Sequence, residues 1–275
     1  MLVADDSRNR QHSIIGSYAA IGDSFTEGVG DPGPDGTFVG WADRFAVLLA
    51  DQLPVLDAAT GPAGDTHFRY ANLAVRGRLL DQIVEEQVPR AKELAPDLVS
   101  FCAGGNDIIR PGTDPDDVAE RFERAVADLT RSVGTVMVTT GFDTRGVPVL
   151  RHLRGKIATY TAHVRAIADR YDCPVLDLWS LRSVQDRRAW DGDRLHLSPE
   201  GHTRVALRAA QVLGIEVPAD PDQAWPPQAQ RGTLEVRRDD IHWAREYLVP
   251  WIGRRLRGES SGDHVAAKRP DLLPL

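Results

Sequence analysis

Ser24 stands in the stretch YAAIGDSFTEGVGDPGPDG, residues 18 to 36, where an apolar run stops at Gly22 and Asp, Ser, Thr and Glu follow in one turn. A serine hydroxyl at the end of a strand can act as a nucleophile when a base lies within hydrogen-bond reach. The same residues have a plainer use. Ser24-Phe25-Thr26-Glu27 fits the capping box S-x-x-E, in which Ser24 would only cap a helix. A base, a carboxylate to orient it and donors for an oxyanion must come from elsewhere in the chain.

Those residue types are present. The stretch DGDRLHLSPEGH, 191 to 202, supplies His196, an imidazole that titrates near neutrality. Asp193, three residues earlier, can reach the far ring nitrogen and fix the tautomer. Asp191 competes for that place, and only the spacing to His196 favours Asp193. Asn106 offers a side-chain amide to the oxygen of a tetrahedral intermediate. Ser24 and Gly77 offer backbone N–H groups, and Gly77 lets the backbone approach closely. Asp23 and Asp107 read as carboxylates that fix loop backbone, and His202 reads as structural or partly exposed. His67, His152 and His163 have no evident partner in the sequence. No H-E-x-x-H or similar spacing occurs, so neither a metal site nor a cofactor is expected. GVGDPGPDG, 28 to 36, lacks the Gly-Lys-Ser/Thr ending of a phosphate loop and reads as a loop beside the nucleophile.

The elements that would position these residues alternate. Short apolar runs at 16–22, 67–74, 96–107, 135–142 and 173–180 read as strands. Helical spacing marks 37–53, 76–94, 114–133, 149–171 and 198–214, with Pro89 expected to kink or end the second of these. Ser198-Pro199 is a helix start signal. Near-continuous apolar strands alternating with helices predict a parallel sheet covered by helices on both faces. In such a sheet ligands collect at the carboxyl ends of the strands. The loops carrying Ser24, Gly77, Asn106 and His196 all follow strands.

In chain order, GDSFTEG (22–28), NLAVRG (72–77), GGND (104–107) and DRLH (193–196) resemble the four blocks of the SGNH (GDSL-type) hydrolase family, over residues 16 to about 214. The resemblance implies a three-layer α/β/α, flavodoxin-like fold with a five-stranded parallel sheet. It implies Ser24 as nucleophile, His196 as base, Asp193 as its orienter, and Ser24, Gly77 and Asn106 as oxyanion donors. It also implies metal-free cleavage of O-acyl esters or thioesters through an acyl-enzyme. An acyltransferase passing the acyl group to a sugar or lipid hydroxyl would use the same residues and is the alternative. A silent binding module is disfavoured because all five positions are filled.

Residues 29–41, 108–114 and 142–155 are expected to wall the pocket. Their apolar members, Phe38, Trp41, Ile108, Ile109, Phe142, Val147 and Leu150, suit an acyl chain. Arg110, Arg145, Arg151 and Arg154 suit an anionic or sugar-acid alcohol. The substrate-binding candidates are Phe38, Trp41, Ile108, Phe142 and Arg145.

A net charge of −7 over 275 residues argues against nucleic-acid binding. No stretch approaches the roughly 18 apolar residues of a membrane span. Cys102 and Cys173 sit in or beside strands and read as buried thiols, and MLVADDSRNRQHSIIG lacks a signal-peptide pattern. These features predict a cytoplasmic enzyme acting on a small-molecule acyl ester, with no nucleic-acid or integral-membrane partner. No oligomeric state follows from the sequence. The hydrolase domain is expected to span 1–216. Residues 217–275 read as a Pro-rich linker, a helix with a stripe of Ile241, Ala244, Leu248, Trp251 and Ile252 kinked at Pro250, and an extended tail. The arginines between 254 and 257 fit the last turn of that helix, which is expected to dock on the same domain.

Overall fold

A computed structural model of the chain describes residues 15–53, 67–147, 150–228, 232–250, 253 and 261–275. The expectations for the N-terminal 14 residues, for Trp251 and Ile252 and for the arginines between 254 and 257 lie outside the described residues.

Five parallel strands form the centre: β1 (Ser17–Gly22), β2 (Arg69–Asn72), β3 (Leu98–Cys102), β4 (Thr135–Thr139) and β5 (Val175–Leu176). A sixth, β6 (Arg269–Pro274), joins the edge beside β2 and runs antiparallel to it, so the order is β5-β4-β3-β1-β2-β6. The sheet is therefore mixed and six-stranded rather than five-stranded and parallel. Pro270 and Pro274 have no N–H to donate to a ladder, which suits them to an edge.

The two-residue period of β1 assigns its faces. Ala19 and Ile21 pack with α3 (Leu80–Leu94), α5 (Pro115–Leu129) and α6 (Arg154–Arg170). Tyr18 and Ala20 pack with α2 (Gly40–Ala50) and α7 (Pro199–Val212). Both faces of the sheet are thus covered, which yields the three layers. α3 continues through Pro89 rather than ending there. Glu85, whose carbonyl loses its partner, is exposed, as is Pro89, so water can satisfy the freed oxygen.

The order of the parallel strands reverses between β1 and β3, the switch point at which doubly wound sheets open a crevice. Ser24 leaves β1 and Asn106 leaves β3, so both stand at that crevice.

The C-terminal helix α8 (Thr233–Trp243) runs into a π turn over Ala244–Leu248, where the Val249 N–H bonds the Ala244 carbonyl. The wide turn directly precedes Pro250, the residue expected to kink the helix. Ile241, expected on the docking stripe, is 56% exposed, and Trp243 is buried instead. Among the described residues no helix is long and apolar enough to cross a membrane.

Candidate active site

Residue types in the first turn decide what Ser24 is free to do. Asp23, not Ser24, caps the short helix α1 (Ser24–Glu27), accepting the Phe25 N–H at 3.1 Å. Glu27 does not close a capping box. Its carboxylate is turned to Arg76, taking the Arg76 N–H at 2.7 Å and pairing with the guanidinium. The Ser24 hydroxyl is left to face His196 Nε2 at 3.0 Å.

The far nitrogen of that ring, Nδ1, lies 2.5 Å from Asp193 Oδ2. The other Asp193 oxygen accepts the N–H groups of Leu195 and His196 at 2.9 and 3.0 Å, so one short turn fixes carboxylate and ring together. Burial acts to raise the Asp193 pKa, but the bonds and charge of His196 and the two backbone donors outweigh it and hold it below the ordinary carboxylate range. Asp191, the rival, is exposed and contributes backbone bonds to the turn. A serine, an imidazole and a carboxylate in this series can activate the hydroxyl for attack on a carbonyl.

Gly77 adopts φ +75°, a conformation open to glycine at little cost. At Gly22 a side chain would meet the Cys102 carbonyl at 2.6 Å, so the chain can turn here only without one. The Asn106 amide donates to Asp23 Oδ2 and to the Arg78 carbonyl, both at 3.0 Å. An oxyanion reaching Asn106 must therefore share or displace one of these bonds. Asp107 accepts the Leu80 N–H at 2.9 Å, tying the same turn to α3.

Ser24, Gly77, Asn106, Asp193 and His196 line one recess of about 330 Å³. Of the expected pocket walls, Ile108, Ile109, Phe142 and Leu150 are among its lining. Three candidates stand elsewhere. Trp41 is fully buried on the core face of α2, against Phe45. Phe38 lies beneath the Arg76 guanidinium, 4.8 Å from ring centre to cation. Arg145 is exposed and bonds Gln185, with Asp143 close by. Arg154 is paired with Asp143. The arginines expected to greet an anionic alcohol are thus not at the recess; Arg76, which is, holds Glu27. Cys102 is half-buried at the recess, and burial raises its thiol pKa, so it stays protonated beside the serine.

His202 is fully buried. Its Nδ1 accepts the Trp41 N–H and its Nε2 donates to the Val29 carbonyl, a structural role. Four contributors had no signal in the sequence. Gln87 brackets Gly22, accepting its N–H and donating to its carbonyl at 2.8 and 2.9 Å. Lys268 Nζ donates to the carbonyls of Glu27, Phe38 and Val39 and pairs with Asp43 at 2.5 Å. Trp243 Nε1 donates to the Asp193 carbonyl at 2.7 Å. Tyr247 joins the recess wall. Among the described residues no group of three or more His, Cys, Asp or Glu side chains could hold a metal ion.

The model of the GDSL-like Lipase/Acylhydrolase family matches residues 20–204. The chain belongs to that family. It is similar to solved structures of LAE5, an alpha/beta hydrolase enzyme from the metagenome of Lake Arreo, Spain, with a TM-score of 0.58 at 21% identity. It is also similar to Axe2, an acetylxylan esterase from Geobacillus stearothermophilus, with a TM-score of 0.56 at 21% identity. Each likeness covers 73% of this chain and 95% of the other. The uncharacterized protein YpmR of Bacillus subtilis (strain 168) is 32% identical over 111 residues, 39% of this chain and 36% of that protein. This GDSL-like chain therefore matches about a third of the length of its curated relative.

Proposed function

We propose that the chain hydrolyses O-acyl esters through an acyl-enzyme on Ser24. His196 takes the Ser24 proton as the hydroxyl attacks the ester carbonyl. The oxygen that gains charge is received by the N–H groups of Ser24 and Gly77 and the Asn106 amide. His196 then returns the proton to the departing alcohol, and water releases the acid by the reverse sequence. Asp193 holds the ring tautomer and stabilises its charged form. The supporting observation is the unbroken series Asp193–His196–Ser24, at 2.5 and 3.0 Å, opening on a largely apolar recess. Likeness to the acetylxylan esterase, at about a fifth identity, supports the fold and not the acyl group.

The test is hydrolysis of p-nitrophenyl butyrate by wild type, Ser24→Ala and Asp193→Asn. Asp193→Asn keeps the shape of the turn but presents an amide to the ring, and it should lower kcat by about 10³–10⁴-fold. Ser24→Ala should abolish acyl-enzyme turnover. An Asp193→Asn variant as fast as wild type would contradict the mechanism.

A further inference from the structure

We propose that the recess beside Ser24 selects a medium-length acyl chain, of about six to ten carbons. This rests on the esterase reading above and names the substrate class of that site.

The recess is lined by residues that follow β1, β3, β4 and β5, so it extends from Ser24 across the carboxyl ends of the sheet. Ile108, Ile109, Phe142, Leu150, Ile157 and Leu178 line it and carry no polar side-chain atom. Besides Ser24, the hydroxyls of the wall are those of Thr139, Thr140, Tyr160, Tyr247 and Ser261, and two of them are already bonded to protein. Tyr160 donates to the Ala103 carbonyl at 3.1 Å, and Thr140 accepts the Leu178 N–H and bonds Asp177. A sugar placed among the six apolar side chains would find no side-chain partner for its hydroxyl groups there, which disfavours it at that end. The charged lining groups belong to the turns around Ser24 and are already engaged: Asp23 accepts the Phe25 N–H, Arg76 pairs with Glu27, and Asp193 with His196. The apolar recess therefore suits the acyl portion, and the mouth is left to the alcohol.

Size sets the length. A methylene takes about the space of one water, roughly 30 Å³, so about 330 Å³ holds about eleven such groups. The polar mouth around Ser24 and His196 takes part of that volume, which leaves room for about six to ten. An acetyl group would occupy a small fraction and leave apolar wall against water.

The measurement is kcat/KM of the full chain for p-nitrophenyl esters from acetate to dodecanoate, with active sites counted by fluorophosphonate titration. Two variants accompany it. Ile109→Trp adds bulk to the recess at a half-buried lining position, and Leu150→Ala enlarges it. Each methylene buried should raise kcat/KM about two- to fourfold. Octanoate should then exceed acetate by on the order of a hundredfold or more, with no gain past decanoate. Ile109→Trp should bring the maximum to butyrate or shorter, and Leu150→Ala should move it to longer chains. Acetate turned over as well as octanoate would overturn the inference while leaving the esterase reading intact. So would a maximum that neither folded variant moves. Folded protein that hydrolyses no ester in the series would overturn both.

Discussion

Replacing His202 by asparagine removes a proton-sensitive ring from behind the Ser24 turn. In the folded chain the ring is completely enclosed, and burial lowers its pKa from 6.5 to about 4. Its bonds explain why the neutral form is required. Nδ1 must accept from Trp41 N–H while Nε2 donates to the Val29 carbonyl, so a proton on Nδ1 would set two donors against each other. The unfolded chain takes up a proton below pH 6.5 and the folded chain does so only near pH 4. Stability from this group is therefore complete above 6.5 and is lost as pH falls from 6.5 toward 4. The difference, 6.5 − 4 = 2.5, at about 1.36 kcal/mol for each pKa unit, gives about 3 kcal/mol over that window. Asparagine retains an acceptor for Trp41 and does not titrate. Asp43, raised to about 6 by burial, titrates in the same window in both proteins and cancels in their difference. The assay is urea unfolding at pH 4, 5, 6 and 7, extrapolated linearly to water. His202→Asn should be less stable than wild type at pH 7, and the gap should close or reverse by pH 4. A gap that stays constant with pH would refute the reasoning.

Trp243→Phe keeps a ring beside the Arg194 guanidinium, now 4.9 Å from it, but loses the bond to the Asp193 carbonyl. At about 1 kcal/mol for that bond, kcat/KM for a butyrate ester should fall about fivefold; a change under twofold would show that α8 does not steady the turn. Lys268→Met leaves three carbonyls and the half-buried Asp43 without their cation. That should cost about 3–5 kcal/mol and lower Tm by about 5–10 °C, measured by thermal unfolding; an unchanged Tm would contradict it.

What could be read from the sequence was local. Asp193 and His196 share one turn, so three residues of spacing suffice to set carboxylate against ring. The alternation of apolar runs gave the five parallel strands, since each needs only its own pattern. Wrong placements came where a periodicity marks a face without naming its neighbour. Trp41 falls on an apolar stripe, but that stripe of α2 meets the sheet and α7 rather than the recess. Arg145 has a side chain suited to an anion and a partner, Gln185, that is distant in the chain. Gln87 and Lys268 act on the Ser24 turn from 65 and 241 residues away, across β1 and the sheet edge, and no local pattern signals such bonds. β6 was hidden for the same reason. Its short sequence, RPDLLP, reads as a tail until the exposed edge of β2 is present to pair with it.

The central claim is that Ser24 is an activated nucleophile, and the most direct measurement is intact mass after treatment with a fluorophosphonate. Wild type should gain one adduct, mapped to the peptide that contains Ser24, and Ser24→Ala should gain none. Folded wild type that gains no mass, or an adduct that persists in Ser24→Ala, would contradict it.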